Sequence, residues 1–212
     1  MLQFTIWQKP YEECGFKDLL EGFRKIANAP TMMNEITDLL MYKYEKIDFI
    51  DEPIPVSYEC PLDLHCSYTR DQILVALDFM KPRSSREGVK YLEDKKTDVF
   101  FVTLNKSDKD YSPTTMYNDY AINDNLFHWQ SQSTTSAHSP TGKRYINHHQ
   151  IGTNVMLFVR ENNNTKLGKA PYTFLGLVDF VSSEGSKPMN VIWKLRKPMP
   201  AKYLKTSLVM AG

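Results

Sequence analysis

Five segments rich in β-branched and aromatic residues, 98–104, 126–132, 154–160, 172–178 and 190–196, most constrain what this chain can become. Each has the length of a strand, and Gly-, Asn- and Ser-rich turns separate them. No regular alternation of strand and helix links them. The expectation is a curved, mainly antiparallel sheet or half-open barrel, with an α+β label once the helices at the front of the chain are counted.

Those helices are read from spacing. Phe16, Leu19, Leu20, Phe23 and Ile26 fall on one helical stripe that stops near Asn28-Ala29-Pro30, and Met33, Ile36, Leu39 and Leu40 repeat it. An αα-hairpin is predicted, its stripe buried on another part of the protein. EKIDFIDEPIPVSYECP then breaks the pattern with prolines and acids, which places a boundary between 1–58 and 59–212. Thr69 and Gln72 form a capping-box pattern ahead of Ile73, Leu74, Ala76 and Leu77, so a short helix is expected there.

At 212 residues, 42% hydrophobic and 24% charged, the chain can bury a core and carries no apolar run of membrane-spanning length. MLQFTIWQKPYEEC has neither a basic leader nor a long apolar stretch, so a cytoplasmic protein is expected. Cys14, Cys60 and Cys66 fit no common zinc spacing; they read as reduced thiols, and neither metal nor cofactor is expected.

Net charge is only +1, but it is unevenly spread. From Ser139 onward eleven Lys and Arg face three acids, so this part carries +8 and the first 138 residues −7. A basic face of this kind suits a phosphate backbone, and an ordinary solvated surface is the alternative. Arg144, Arg160, Lys194, Arg196 and Lys197 lie on or beside strands and are the candidate backbone contacts. Lys194 and Arg196, two apart on one strand, are expected on one face.

The segment 103–135 sets Tyr111, Tyr117, Tyr120, Phe127 and Trp129 among Asn105, Asp119, Gln130 and Gln132. Flat rings beside amides and a carboxylate suit a planar, hydrogen-bonding ligand such as a nucleobase, although aromatic residues also build ordinary cores. Tyr111, Tyr117 and Tyr120 are the candidate stacking faces. Asp119 is the candidate acceptor for a cytosine amino group, with Gln130 and Gln132 as supporting readers. Alternation puts Phe127, Trp129 and Ser131 on one face of their strand and His128, Gln130 and Gln132 on the other, so Trp129 is read as core.

Catalysis finds little support. Gly142-Lys143 lacks the rest of a phosphate-binding loop. Asp179, Glu184 and Lys187 have the wrong spacing for a metal-dependent nuclease, and His148-His149 is a weak cue without an evident nucleophile. The chain itself is therefore expected not to be an enzyme.

SYTRDQIL, DVFFVTLNKSDKDYSPTTMYNDYAI, FHWQSQSTTS, GKRYI, MLFVRE, PYTFLG and the closing WKL with PMP resemble the uncharacterised domain at the C-terminus of bacterial superfamily 2 helicase fusions. The resemblance covers most of 68–200 in matching order. Some members are type IV, modification-dependent restriction enzymes, in which a phospholipase-D-like nuclease and a helicase motor precede this domain. The resemblance implies a noncatalytic module that binds double-stranded DNA with a modified cytosine, 5-methyl or 5-hydroxymethyl, by base flipping. It also implies a PUA/SRA-like fold, similar to SET- and RING-associated domains, with 1–58 as the junction to an ATP-dependent motor and nuclease. The alternative is a docking module that regulates the helicase and has no base pocket.

Overall fold

The computed structural model describes residues 1–45, 52–105, 118–166, 168–201 and 203–204, which form two compact units, Met1–Glu52 and Pro53–Gly212. The division precedes Tyr58, whose hydroxyl bonds Thr97 Oγ1 at 2.8 Å and so belongs with the second unit.

The first unit holds α1 (Leu2–Ile6), α2 (Tyr11–Cys14), α3 (Leu19–Ala27) and α4 (Pro30–Tyr44). Asp18 caps α3 by accepting from the Glu21 amide at 2.9 Å, and Pro30 opens α4, where a missing N–H costs nothing. Phe4, Phe16 and Ile26 are buried, and Trp7 meets Phe16 edge-on at 4.8 Å. Gly22 lies beneath both rings; an added Cβ would come within 3.1 Å of Phe16. The expected stripe is thus only partly buried. The cap at Asp18 starts the helix after Phe16, and Leu19, Leu20 and Phe23 remain exposed, as do Met33, Leu39 and Leu40 on α4.

The second unit contains β1 (Ser67–Tyr68), α5 (Arg70–Ala76), a 3-10 turn at Pro82–Ser84, β2 (Val89–Leu92), β3 (Thr97–Asn105) and β4 (Tyr120–Ala121). There follow β5 (Leu126–Gln130), α6 (Pro140–Ile146), β6 (Asn154–Asn162), β7 (Asn164–Thr165), β8 (Gly168–Lys169), β9 (Tyr172–Glu184) and β10 (Asn190–Leu195). All five expected strands are present. The sheet runs β2-β3-β6-β9-β10-β5-β4, with β1 added beside β9, and it does not close. Every pairing is antiparallel except β3 with β6, and β4, β5 and α6 lie between those two strands in the chain. The fold is therefore α+β with a mainly antiparallel open sheet.

The sheet bends at β9, which pairs β6 and β1 with its first half and β10 with its second. Register shifts in both ladders give β9 an extra residue each time, and such bulges sharpen the local twist. Gly176 supplies the first with φ +91°, a backbone state that a side chain rarely adopts.

The core gathers Phe100, Trp129, Tyr145 and Trp193. Phe100 stacks on Trp129 at 4.2 Å, and Tyr145 from α6 meets both edge-on. Ser139 caps α6 through the Gly142 amide at 3.1 Å. Glycine is required at 142, because a Cβ would sit 1.9 Å from the Ser136 carbonyl oxygen. The capping box holds as expected: Thr69 Oγ1 accepts from Gln72 N, and Gln72 Oε1 accepts from Thr69 N at 2.8 Å. It launches α5 with Ile73, Leu74 and Leu77 fully buried behind it.

Candidate functional site

A cavity of about 380 Å³ opens in the second unit between α5, the 86–89 segment and the ends of β3, β5, β6 and β9. Strand alternation builds its walls. β3 sends Phe100, Val102 and Leu104 into the core and turns Phe101 and Thr103 to the cavity. Trp129, stacked on Phe100 behind, presents part of its ring to the same space, and Tyr172 completes an aromatic wall whose ring meets Phe101 edge-on at 5.3 Å.

Polar groups converge on this wall. Asp119 is 9% exposed, and its Oδ1 accepts from the Gln130 amide at 2.8 Å, which anchors it at the rim of β5. Gln130 is tied down at both ends: its Oε1 accepts from Asn118 N at 3.2 Å and its Nε2 donates to Asn190 Oδ1 at 3.1 Å, across the β5–β10 register. It therefore positions the strand end more than it reads a ligand. Gln132 Oε1 accepts from Thr135 Oγ1 at 3.3 Å.

Arginines form the remaining wall. The Arg70 guanidinium lies 3.9 Å over the Phe101 ring and donates to Ser85 O, Ser85 Oγ and Glu87 O. Arg160 lies 4.3 Å over Tyr172 and donates to Thr103 Oγ1, Ala170 O and Asn163 Oδ1. Arg86 and Glu87 stand exposed at the mouth. Burial holds Arg70 below the usual guanidinium range, with Arg160 adding to the effect and Tyr172, Asp71 and Glu87 opposing it.

The structure thus brings together Asp119, Gln130, Gln132 and Arg160 from the sequence candidates, and adds Arg70, Arg86, Phe101, Trp129 and Tyr172. Tyr111 and Tyr117 lie outside the described residues. Tyr120 lies elsewhere: on β4 its ring stacks on His128 at 4.6 Å, and it is not among the residues that line the cavity. Trp129 was read as core, and it is both core and wall.

Arg144 is also engaged away from the cavity. It donates to both oxygens of the fully buried Asp98, at 2.7 and 2.9 Å, and covers Tyr91 at 3.8 Å, so its charge is spent internally and is not offered to a phosphate. Burial pushes the Asp98 carboxyl up and the Arg144 bonds pull it back. Lys194, Arg196 and Lys197 are exposed, and Arg196 forks onto Asp179 at 2.8 and 3.0 Å.

His148, His149 and Asp179 place ligand atoms within 4.8 Å of one another. Their donors are already committed. His148 Nε2 accepts from Phe180 N at 3.0 Å, which fixes the tautomer in which Nδ1 donates to the Thr153 carbonyl, and Asp179 carries the Arg196 fork. A guanidinium on the only carboxylate opposes a metal cation there. Glu184, at the far end of β9, takes no part.

The match to a family model spans residues 62–206. The chain belongs to the family described as a domain of unknown function, DUF3427. The DUF3427 segment contains every residue that lines the cavity, and α1 to α4 lie outside it. No curated protein matches the chain. Among the described residues no helix is long and apolar enough to cross a membrane.

Proposed function

We propose that this chain is a noncatalytic reader of double-stranded DNA that flips a modified cytosine, 5-methyl or 5-hydroxymethyl, into the cavity. The observation that carries the reading is the convergence of Asp119 with the Phe101, Trp129 and Tyr172 wall in a space of about 380 Å³, a volume in the range of small-ligand sites. Flipping costs a few kcal/mol, and base stacking of about 1–3 kcal/mol together with edge hydrogen bonds offsets it. A carboxylate at the rim is an acceptor for the cytosine amino group. The open, bulged sheet is compatible with a PUA/SRA-like reader. The resemblance to helicase fusions supports an upstream helicase and nuclease as partners, which supply the catalysis.

A second reading has its own observation. Leu19, Leu20, Phe23, Leu39 and Leu40 are exposed on α3 and α4, and such apolar faces suit docking on a motor domain. Fluorescence anisotropy with a short duplex, unmodified or carrying one 5-methylcytosine, separates the two. The reader binds the modified duplex more tightly. Equal affinity removes the modified-base reading, and no binding at low salt leaves the docking module.

A further inference from the structure

The two cavity arginines are unlike Arg144, the other half-buried arginine of this protein. Among the described residues, all acceptors on Arg70 and Arg160 are neutral: the Ser85, Glu87 and Ala170 carbonyls, the Ser85 and Thr103 hydroxyls and the Asn163 amide oxygen. Asp119, the buried acid of the cavity, is anchored on the Gln130 amide, and Glu87 is exposed at the mouth. Two half-buried cations therefore face one space, and among the described residues neither is hydrogen-bonded to a carboxylate. Like charges in a partly desolvated site repel, and a bound anion relieves that cost.

Both groups are also held ready. Each guanidinium lies over an aromatic face, Arg70 on Phe101 and Arg160 on Tyr172, and three hydrogen bonds fix its rotation. Among the described residues Arg70 uses Nε and Nη2, so Nη1 keeps its donors, and Arg160 keeps one N–H on each of Nη1 and Nη2. Fixed forks with spare N–H groups match the oxygens of a phosphate.

We propose that Arg70 and Arg160 form an anion clamp that grips the phosphate of the nucleotide whose base enters the cavity, with Arg86 at the mouth as an outer cation. That the anion belongs to an extruded nucleotide rests on the DNA-reading function proposed above; the clamp itself follows from two arginines that face one cavity and whose acceptors among the described residues are neutral.

The test is calorimetric titration of the full chain with 5-methyl-deoxycytidine monophosphate, with the corresponding nucleoside, and with inorganic phosphate as competitor. The nucleotide is expected to bind about tenfold or more tighter than the nucleoside, since charge-assisted hydrogen bonds are among the strong ones. Inorganic phosphate should displace it. Arg160→Gln should erase the preference for nucleotide over nucleoside, and Arg70→Lys, which keeps the charge but loses the fork, should retain part of it. Because Arg70 and Arg160 also brace loops, the exposed Arg86, which has no hydrogen bond to the described residues, provides in Arg86→Gln a variant expected to fold, and it should weaken the nucleotide alone. Equal binding of nucleotide and nucleoside, or binding of neither, overturns the clamp. If deoxyadenosine monophosphate binds as tightly as the methylated cytosine nucleotide, the clamp stands and the cytosine reading falls.

Discussion

Arg144 beside Asp98 and the Arg70–Arg160 pair in the cavity use the same residue, laid on the same kind of aromatic face, at 3.8, 3.9 and 4.3 Å from the ring centroids. The acceptors differ. Arg144 meets a buried carboxylate through two short bonds and its charge is cancelled inside the fold, whereas among the described residues the hydrogen-bond acceptors of the cavity arginines are all neutral, which is the ground for the anion clamp proposed above. Ring stacking therefore says how a guanidinium is held. What balances its charge says what it is for.

The largest expected effect breaks the internal pair. Arg144→Ala leaves Asp98 buried with no countercharge and should cost about 3–5 kcal/mol, read as a fall in denaturation midpoint. A loss below about 1 kcal/mol would show the pair to be an ordinary exposed ion pair, and the contrast with the cavity would lose its meaning.

The two buried acids provide the next comparison. Asp119→Asn keeps an oxygen for the Gln130 amide, so the fold should survive, while a donor replaces an acceptor at the cavity rim. Discrimination between modified and unmodified duplex should fall by about 1–3 kcal/mol in competitive anisotropy. A folded Asp119→Asn protein with unchanged preference would remove Asp119 from the base-reading role.

The smallest effect concerns a buried group that stays neutral. Burial, and then the neighbouring His149, lower the pKa of His148 from its ordinary 6.5, while the Thr153 carbonyl and Asp179 oppose this and Arg196 adds to it. The unfolded chain binds the proton first, so stability is full above about pH 6.5 and is lost as pH falls through that value. Protonation also sets an N–H against Phe180 N–H. Melting temperature should drop between about pH 7.5 and pH 5, and His148→Gln should flatten the profile. Parallel profiles would place the acid sensitivity elsewhere.

How much of this was legible depended on whether the signal was local. The five strands, the capping box at Thr69 and both long front helices were readable, because period and caps are set by neighbours along the chain. The Ser139-Pro140 start of α6 carries the same kind of local signal, an N-cap followed by proline at N1. Asp119, Gln130, Gln132 and Arg160 were legible as polar groups near a strand end. Where the Tyr120 ring goes was not legible, because its stacking partner, His128, is set by the β4–β5 ladder.

Sequence by itself determined the α+β class, the open sheet's strands and the basic bias of the C-terminal third, since each follows from residue type and short-range spacing. Tertiary structure alone decided which arginine is cancelled and which is left over. Asp98 and Arg144 are 46 positions apart, and Arg70 reaches the Arg160 wall only because α5 and β6 flank one cavity. A charge's meaning depends on the groups within a few ångströms of it, and in this fold those groups come from distant parts of the chain.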